Sequence, residues 1–326
     1  ARGIMGETAD AIVRSITSFA LYGFPESHAA SFALLAYASA YLKAHYPAPF
    51  VCALLNNQPM GFYQPLTLVK DAQRHGVHFL PVDVTRSARA CTLEEGRVRL
   101  GLFHVVGLRR EAGETIVAER VRAPFRSLQD FVDRAGLRRD EREGLAEIGA
   151  LNAFGLTRRS ALWQVERAGR PQGPLFRGEE EDDGPSPLPE MDPQERVISD
   201  LLGTGVTVGP HPMALRRPGL APRGVLRAAD LGSVPDGATV RVAGTVICRQ
   251  RPGTAGGFLF LTLEDETGLV NVTVRPDLFA KRNAVLVGAG LLEIDGLLQN
   301  RGGTSVRALE VRAVSSPAPV ASRDFR

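Results

Sequence analysis

Two glycine-turned segments and one aromatic, basic strand hold the residues of this sequence that are spaced for chemistry. The first segment is Val105-Val106-Gly107-Leu108, followed by Ile116-Val117. Apolar residues around a glycine, just ahead of a helix, form a helix-hairpin-helix pattern. Its backbone N–H groups and helix N-terminus meet phosphate without reading sequence. Arg109 stands where such hairpins usually carry a second glycine, so either a guanidinium replaces open backbone there or the hairpin is degenerate. A looser copy spans Leu145–Leu162, with Gly149-Ala150-Leu151, Gly155, and Arg158-Arg159 opening a helix. The expected backbone contacts are Gly107, Arg109, Arg110, Gly155, Arg158 and Arg159. The competing reading is a helical packing domain with solvated arginines.

The strand is Phe258-Leu259-Phe260-Leu261-Thr262-Leu263, with Arg249, Arg251, Arg275, Lys281 and Arg282 around it. Aromatic platforms beside cations suit a single nucleic-acid strand, since every base has a face to stack. Phe258 and Phe260 share one strand face, and that face is either the stacking surface or the core. The loop Arg249-Gln250-Arg251-Pro252-Gly253-Thr254 is better placed to meet a backbone.

Other chemistries find no constellation. The six histidines have no metal spacing, no Ser/His/Asp set is recognisable, and no glycine-rich phosphate loop precedes a helix. No Asp-x-Asp pair occurs. Glu264-Asp265-Glu266 and Glu293-Ile294-Asp295 fall on an expected turn and an expected strand. No catalytic residue and no metal ligand is expected in this chain.

The elements that must position these residues change style along the chain. Thr8–Tyr22 has helical periodicity. Ser27 is the expected N-cap of a helix from His28 to about Tyr46, whose many alanines predict deep packing. Helices from Pro49 to about Asn57 and from Pro65 to His75 follow. Thr92–Leu100 reads as a β-hairpin, and helices return from Leu108 to Val165. Arg170–Pro193, with six prolines and the run Glu179–Asp183, reads as a linker. Beyond Leu201 five strands are expected, with an insert at Pro276–Asn283 between the third and fourth, which is the OB-fold plan.

Composition fits this division. The 326 residues carry a net charge of +3. Residues 1–165 hold +4, 166–200 hold −6 and 201–326 hold +5, so two basic blocks flank an acidic connector, as modules that touch phosphate would. Cys52, Cys91 and Cys248 lie far apart, which argues against zinc or a disulfide framework and for a cytoplasmic setting. No apolar run approaches membrane length and no signal peptide is seen, so a membrane partner is not expected. A first residue other than Met reads as a piece of a longer chain.

Tyr22-Gly23-Phe24-Pro25-Glu26-Ser27-His28-Ala29-Ala30-Ser31-Phe32-Ala33-Leu34-Leu35-Ala36-Tyr37, continuing through Tyr41–Pro47 and Ala53–Asn56, resembles the fingers of bacterial C-family DNA polymerases, the polymerase III α-like group. Gln58-Pro59-Met60-Gly61-Phe62-Tyr63 and Pro25-Glu26 look like its error-prone, translesion branch. Gly209-Pro210-His211-Pro212-Met213 resembles the approach to the family's OB domain. The likeness covers essentially all of 1–315 and implies template-directed nucleotidyl transfer tolerant of damaged DNA. It places the Mg²⁺-holding palm carboxylates outside this chain, which alone should be inactive. Ser27 and His28, with Lys43 behind them, become candidates for nucleotide or template contact. Gln172, Leu175 and Phe176 in the linker resemble a sliding-clamp peptide; other mutagenesis-complex proteins are further possible partners.

The expected fold is therefore α+β and multidomain. Part of the fingers (1–81) leads to a hairpin with tandem helix-hairpin-helix (82–165), an acidic linker (166–200), a five-stranded OB barrel (201–316) and a tail (317–326). Two competitors stay open: a non-catalytic DNA-binding adaptor that recruits a polymerase, and a tRNA-binding OB protein attached to a synthetase.

Overall fold

The computed structural model describes residues 6–21, 26–61, 63–168, 186–300, 303–314 and 323–325. Four helices come first: α1 (Glu7–Leu21), α2 (Glu26–His45), α3 (Pro47–Asn56) and α4 (Pro65–Arg74). Helix α2 begins at Glu26, so Ser27 lies inside its first turn and does not cap it. The expected deep packing of α2 is also corrected. Residues 29–46 are exposed, Phe32, Leu34, Leu35 and Tyr37 included. A helix apolar all round needs cover on every side, and the described residues do not supply it. Lys43 ties its last turn to α4 through Asp71, 3.2 Å away.

A small sheet follows, built from β1 (Phe79–Leu80), β2 (Thr92–Glu94) and β3 (Arg97–Arg99) in the order β1-β3-β2. The β2–β3 turn places Glu95 and Gly96 at φ 51° and 77°. Two consecutive positive φ values suit the right-handed twist of a tight hairpin. Helices α5 (Arg110–Arg122), α6 (Leu128–Ala135), α7 (Arg139–Glu147) and α8 (Arg158–Ala168) complete the helical body. One buried cluster runs from Val51, Leu55 and Val69 through Val98 and Ile116 to Phe131, Leu145 and Val165. It crosses the 81/82 division, which therefore marks a change of element type and not of core.

Helix α9 (Pro193–Thr204) lies within the stretch expected to be linker. Asp192 and Glu195 cap it reciprocally, each side chain accepting from the other's backbone N–H. Gly203 lets α9 settle on the body, because a Cβ there would stand 2.3 Å from Ile148 Cγ2.

After α10 (Pro212–Leu220) and β4 (Val225–Leu226) comes the barrel: β5 (Thr239–Gln250), β6 (Leu259–Glu264), β7 (Leu269–Val274), α11 (Pro276–Gly288), β8 (Leu291–Gln299) and β9 (Ser305–Ala313). Pairing runs β5-β6-β7-β9-β8 and closes from β8 back to β5. Only the β7–β9 pair within this ring is parallel. Val242, Val246, Leu261, Leu263, Val272, Ile294 and Val306 fill the interior, and Leu286 of α11 plugs one end. Strand β10 (Arg323–Phe325) runs parallel to the end of β5.

Helix α4 docks the body on the barrel through a buried polar seam. Arg74 Nη2 donates to Glu264 Oε1 at 3.0 Å and Thr67 Oγ1 donates to Glu264 Oε2 at 3.1 Å. Lys70 Nζ donates to Gly209 O at 2.6 Å, and Gln73 Nε2 to Val208 O at 2.9 Å. From α10, Arg217 reaches Asp265 and Glu266 in the same β6–β7 turn. Burial pushes the Glu264 carboxyl upward, against the pull of Arg74, Thr67 and Lys70. Removing one partner of a buried ion pair typically costs roughly 3–5 kcal/mol, because the other charge stays behind. Arg74→Met should therefore cost about that much and split thermal unfolding into two calorimetric transitions; a single transition at the parental temperature would show the seam to be idle.

Candidate nucleic-acid interface

The first hairpin is shorter than its name suggests. A 3₁₀ turn at Leu102–His104 leads to Gly107, at φ 81°, and then to α5. A Cβ on Gly107 would meet nothing within 4 Å, so the left-handed backbone, and not space, calls for glycine there. The second hairpin joins α7 to α8 through Gly149 and Gly155, both at positive φ.

Several expected phosphate contacts at these hairpins are instead engaged within the protein. Arg109 grips Glu141 at the start of α7 with Nε–Oε1 at 2.8 Å and Nη2–Oε2 at 2.9 Å, and its own backbone N–H adds a third bond. Burial of Glu141 opposes its charge, yet Arg109 and the backbone N–H of Arg138 outweigh it and hold the carboxyl down to about 2. Arg158 Nη2 lies 2.7 Å from Asp200 and anchors α9 on α8. Arg159 adds a 3.4 Å contact to Glu195. Arg110 is exposed and paired with Glu114 one turn along α5. Arg109 and Arg158 are thus structural ties first. Buried carboxylates 32 and 42 positions further along the chain claim them.

The barrel sorts its cations in the same way. Arg249 was expected in an open loop; it is buried near the end of β5, donating to the carbonyls of Leu286 and Ala289 at the end of α11. Its parity explains this, since Arg249 pairs with the inward Leu261. Arg282 binds Glu310 and Arg275 binds Asp277, both at the surface. Arg251 stacks over the Phe279 ring, 4.3 Å from its centroid, and Lys281 is exposed.

The two phenylalanines do not share a role. Phe258 precedes β6 and is half-buried, while Phe260 is 38% exposed on its outer face; Leu259, Leu261 and Leu263 face inward. Strand register sets Gln250, Phe260, Thr273 and Arg307 in one row across β5, β6, β7 and β9. Beside it runs a second row of Cys248, Thr262, Asn271 and Ser305. None of the eight is buried. An aromatic ring, a guanidinium about two strand spacings (~10 Å) away and hydrogen-bonding side chains between them can hold a base, a phosphate and base edges. Sequence reading missed Arg307, Thr273, Asn271 and Gln250. The alternation Val306-Arg307-Ala308 already set Arg307 opposite two core residues and was the signal to use.

Among the described residues no group of three His, Cys, Asp or Glu side chains could hold a metal ion. The two acidic clusters are occupied: Glu264, Asp265 and Glu266 by Arg74 and Arg217, and Glu293 and Asp295 by Arg223, Arg241 and Arg312. They do not fit the role of magnesium-holding carboxylates. His28 is half-buried with its ring 4.4 Å from that of Phe32. Gln172, Leu175 and Phe176 lie outside the described residues.

Comparison with known proteins agrees with this geometry. A model described as helix-hairpin-helix motif matches residues 76–161, and one described as OB-fold nucleic acid binding domain matches 240–314. The error-prone DNA polymerase of Anaeromyxobacter dehalogenans (strain 2CP-C) is 46% identical over 98% of this chain, and that of Azoarcus sp. (strain BH72) is 48% identical over all of it. By homology the chain belongs with the error-prone DNA polymerases. It spans 29% and 32% of the length of those two relatives. Among solved structures, asparaginyl-tRNA synthetase from Pyrococcus horikoshii aligns over 26% of this chain and 21% of its own at 23% identity. Its TM-score of 0.21 is too slight to bear on function.

The Glu141 carboxyl, held low in the fold, adds stability above its unfolded pKa of about 4.3. That stability fades as pH falls from there towards 2. Glu141→Gln should flatten this acid limb in pH-dependent thermal melts, while Glu114→Gln on exposed α5 should leave the limb in place.

Proposed function

We propose that this chain is the DNA-holding part of an error-prone DNA polymerase acting in damage-induced translesion synthesis and repair. The observation that carries the reading is the outward row Phe260–Thr273–Arg307, on a barrel matched by a nucleic-acid-binding model, in a chain homologous to those polymerases. In this reading a single template strand crosses the outer barrel face, Phe260 stacks on a base, and Arg307, Arg251 and Lys281 face phosphates. The Gly107 and Gly155 hairpins present backbone N–H groups to duplex phosphates, as the internal engagement of Arg109 and Arg158 leaves the backbone as the main donor. Ser27 and His28 in the first turn of α2, and Lys43, stand as contacts to nucleotide or template. Nucleotidyl transfer with Mg²⁺ belongs to parts of the polymerase outside this chain. Docking of Gln172, Leu175 and Phe176 into a sliding clamp is part of the same proposal. No described helix is long and apolar enough to cross a membrane, which fits the proposed cytoplasmic setting.

Base–aromatic stacking is worth roughly 1–3 kcal/mol per base. Phe260→Ala should therefore weaken binding of a single-stranded oligonucleotide about 5- to 150-fold at fixed salt, with the melting temperature unchanged. Arg307→Ala should also lower the salt dependence of binding by about one counterion. Wild-type affinity in both variants would remove the barrel face from the account. Primer extension with the isolated chain should show no incorporation; incorporation would overturn the placement of catalysis elsewhere.

A further inference from the structure

The barrel's outer rows do not stop at β5. Strand β8 pairs with β5 from Thr239 to Thr245 and then leaves, exposing one edge of the last turn of β5. Strand β10 takes that edge, with Arg323 opposite Cys248, Asp324 opposite Arg249 and Phe325 opposite Gln250. In a parallel pair, residues in register belong to the same sheet face, and alternate residues return to it. Phe325 thus falls in the row Gln250–Phe260–Thr273–Arg307, and Arg323 in the row Cys248–Thr262–Asn271–Ser305. Asp324 takes the parity of the inward Arg249.

We propose that β10 is a working strand of the single-strand-binding face, adding a second aromatic position at Phe325 and a further cation at Arg323. The inference rests on the reading of the barrel face given above and extends it. With a strand spacing of about 4.8 Å, the row places Phe325, Phe260 and Arg307 at even intervals of roughly 10 Å. An aromatic, aromatic, cation order at that interval suits two stacked bases followed by a phosphate. The residue types of the tail fit the proposal, since a strand serving only to cover the β5 edge needs neither an aromatic nor an arginine at the outward parity. It also assigns the face a direction of growth: it widens past β5, on the side away from Arg307.

The test is fluorescence anisotropy with an oligothymidylate of about ten nucleotides, within the range one OB fold covers. Four proteins are compared: the full chain, Phe325→Ala, Phe325→Trp and a chain ending at Ser322, each well below its own melting temperature. Phe325→Ala should weaken binding roughly 5-fold or more, as the loss of one stacked base demands. Phe325→Trp should restore it, and the shortened chain should bind at least as weakly as Phe325→Ala. Unchanged affinity in the alanine variant and the shortened chain would overturn the proposal. So would tighter binding by the shortened chain, which would make β10 a cover over the face. Phe260→Ala measured alongside separates the two levels. Normal binding there sinks the face itself, whereas weak binding there with normal binding in Phe325→Ala sinks only the role of β10.

Discussion

Glu264 ends β6 with no measurable exposure of its side chain, and Arg74 and Thr67 reach it from a helix almost two hundred residues earlier in the chain. A carboxylate in that position is tolerable only because both oxygens are met. Its partners therefore set how the helical body and the barrel sit against each other. Lys70 and Gln73 repeat the arrangement one turn away on the carbonyls of Gly209 and Val208, and Arg217 closes it from the barrel side. The seam is polar, so it specifies an orientation where an apolar contact would allow sliding. Two modules that each touch nucleic acid are in this way held as one surface.

The same physics explains why so few arginines remain for DNA. A guanidinium beside a buried carboxylate gains more from that pair than from solvent, and Arg109, Arg158 and Arg217 all meet such a partner. Arg249 meets carbonyls at the end of α11 with the same result. What faces outward is sparser and more ordered than the composition suggests: one phenylalanine, one guanidinium and a grid of small polar side chains on the barrel. An arginine-rich chain can thus hold a strand with a few well-placed groups while the others hold the protein.

Much of the architecture was legible in the sequence because it rests on local periodicity. The strict alternation of Val270–Val274 and the apolar run Leu259–Leu263 gave the barrel strands, and the Pro and Gly punctuation gave the helices. Three things were not legible. Whether an arginine is free depends on a carboxylate such as Glu141 that sequence spacing cannot place opposite Arg109. The exposure of α2 contradicts its composition, which demands burial, because the described residues do not include what would cover it. Helix α9 was lost to the neighbouring prolines and acids, although Asp192-Pro193-Gln194-Glu195 already spelled a capping box.

The central claim is that a single strand lies across the outer face of β6, β7 and β9. Photo-crosslinking of a bromodeoxyuridine-substituted oligonucleotide, with the adduct mapped by mass spectrometry, tests it most directly. The account predicts adducts on Phe260 and its row neighbours in the barrel. Adducts found only on the helical body, with the barrel unlabelled, would contradict it.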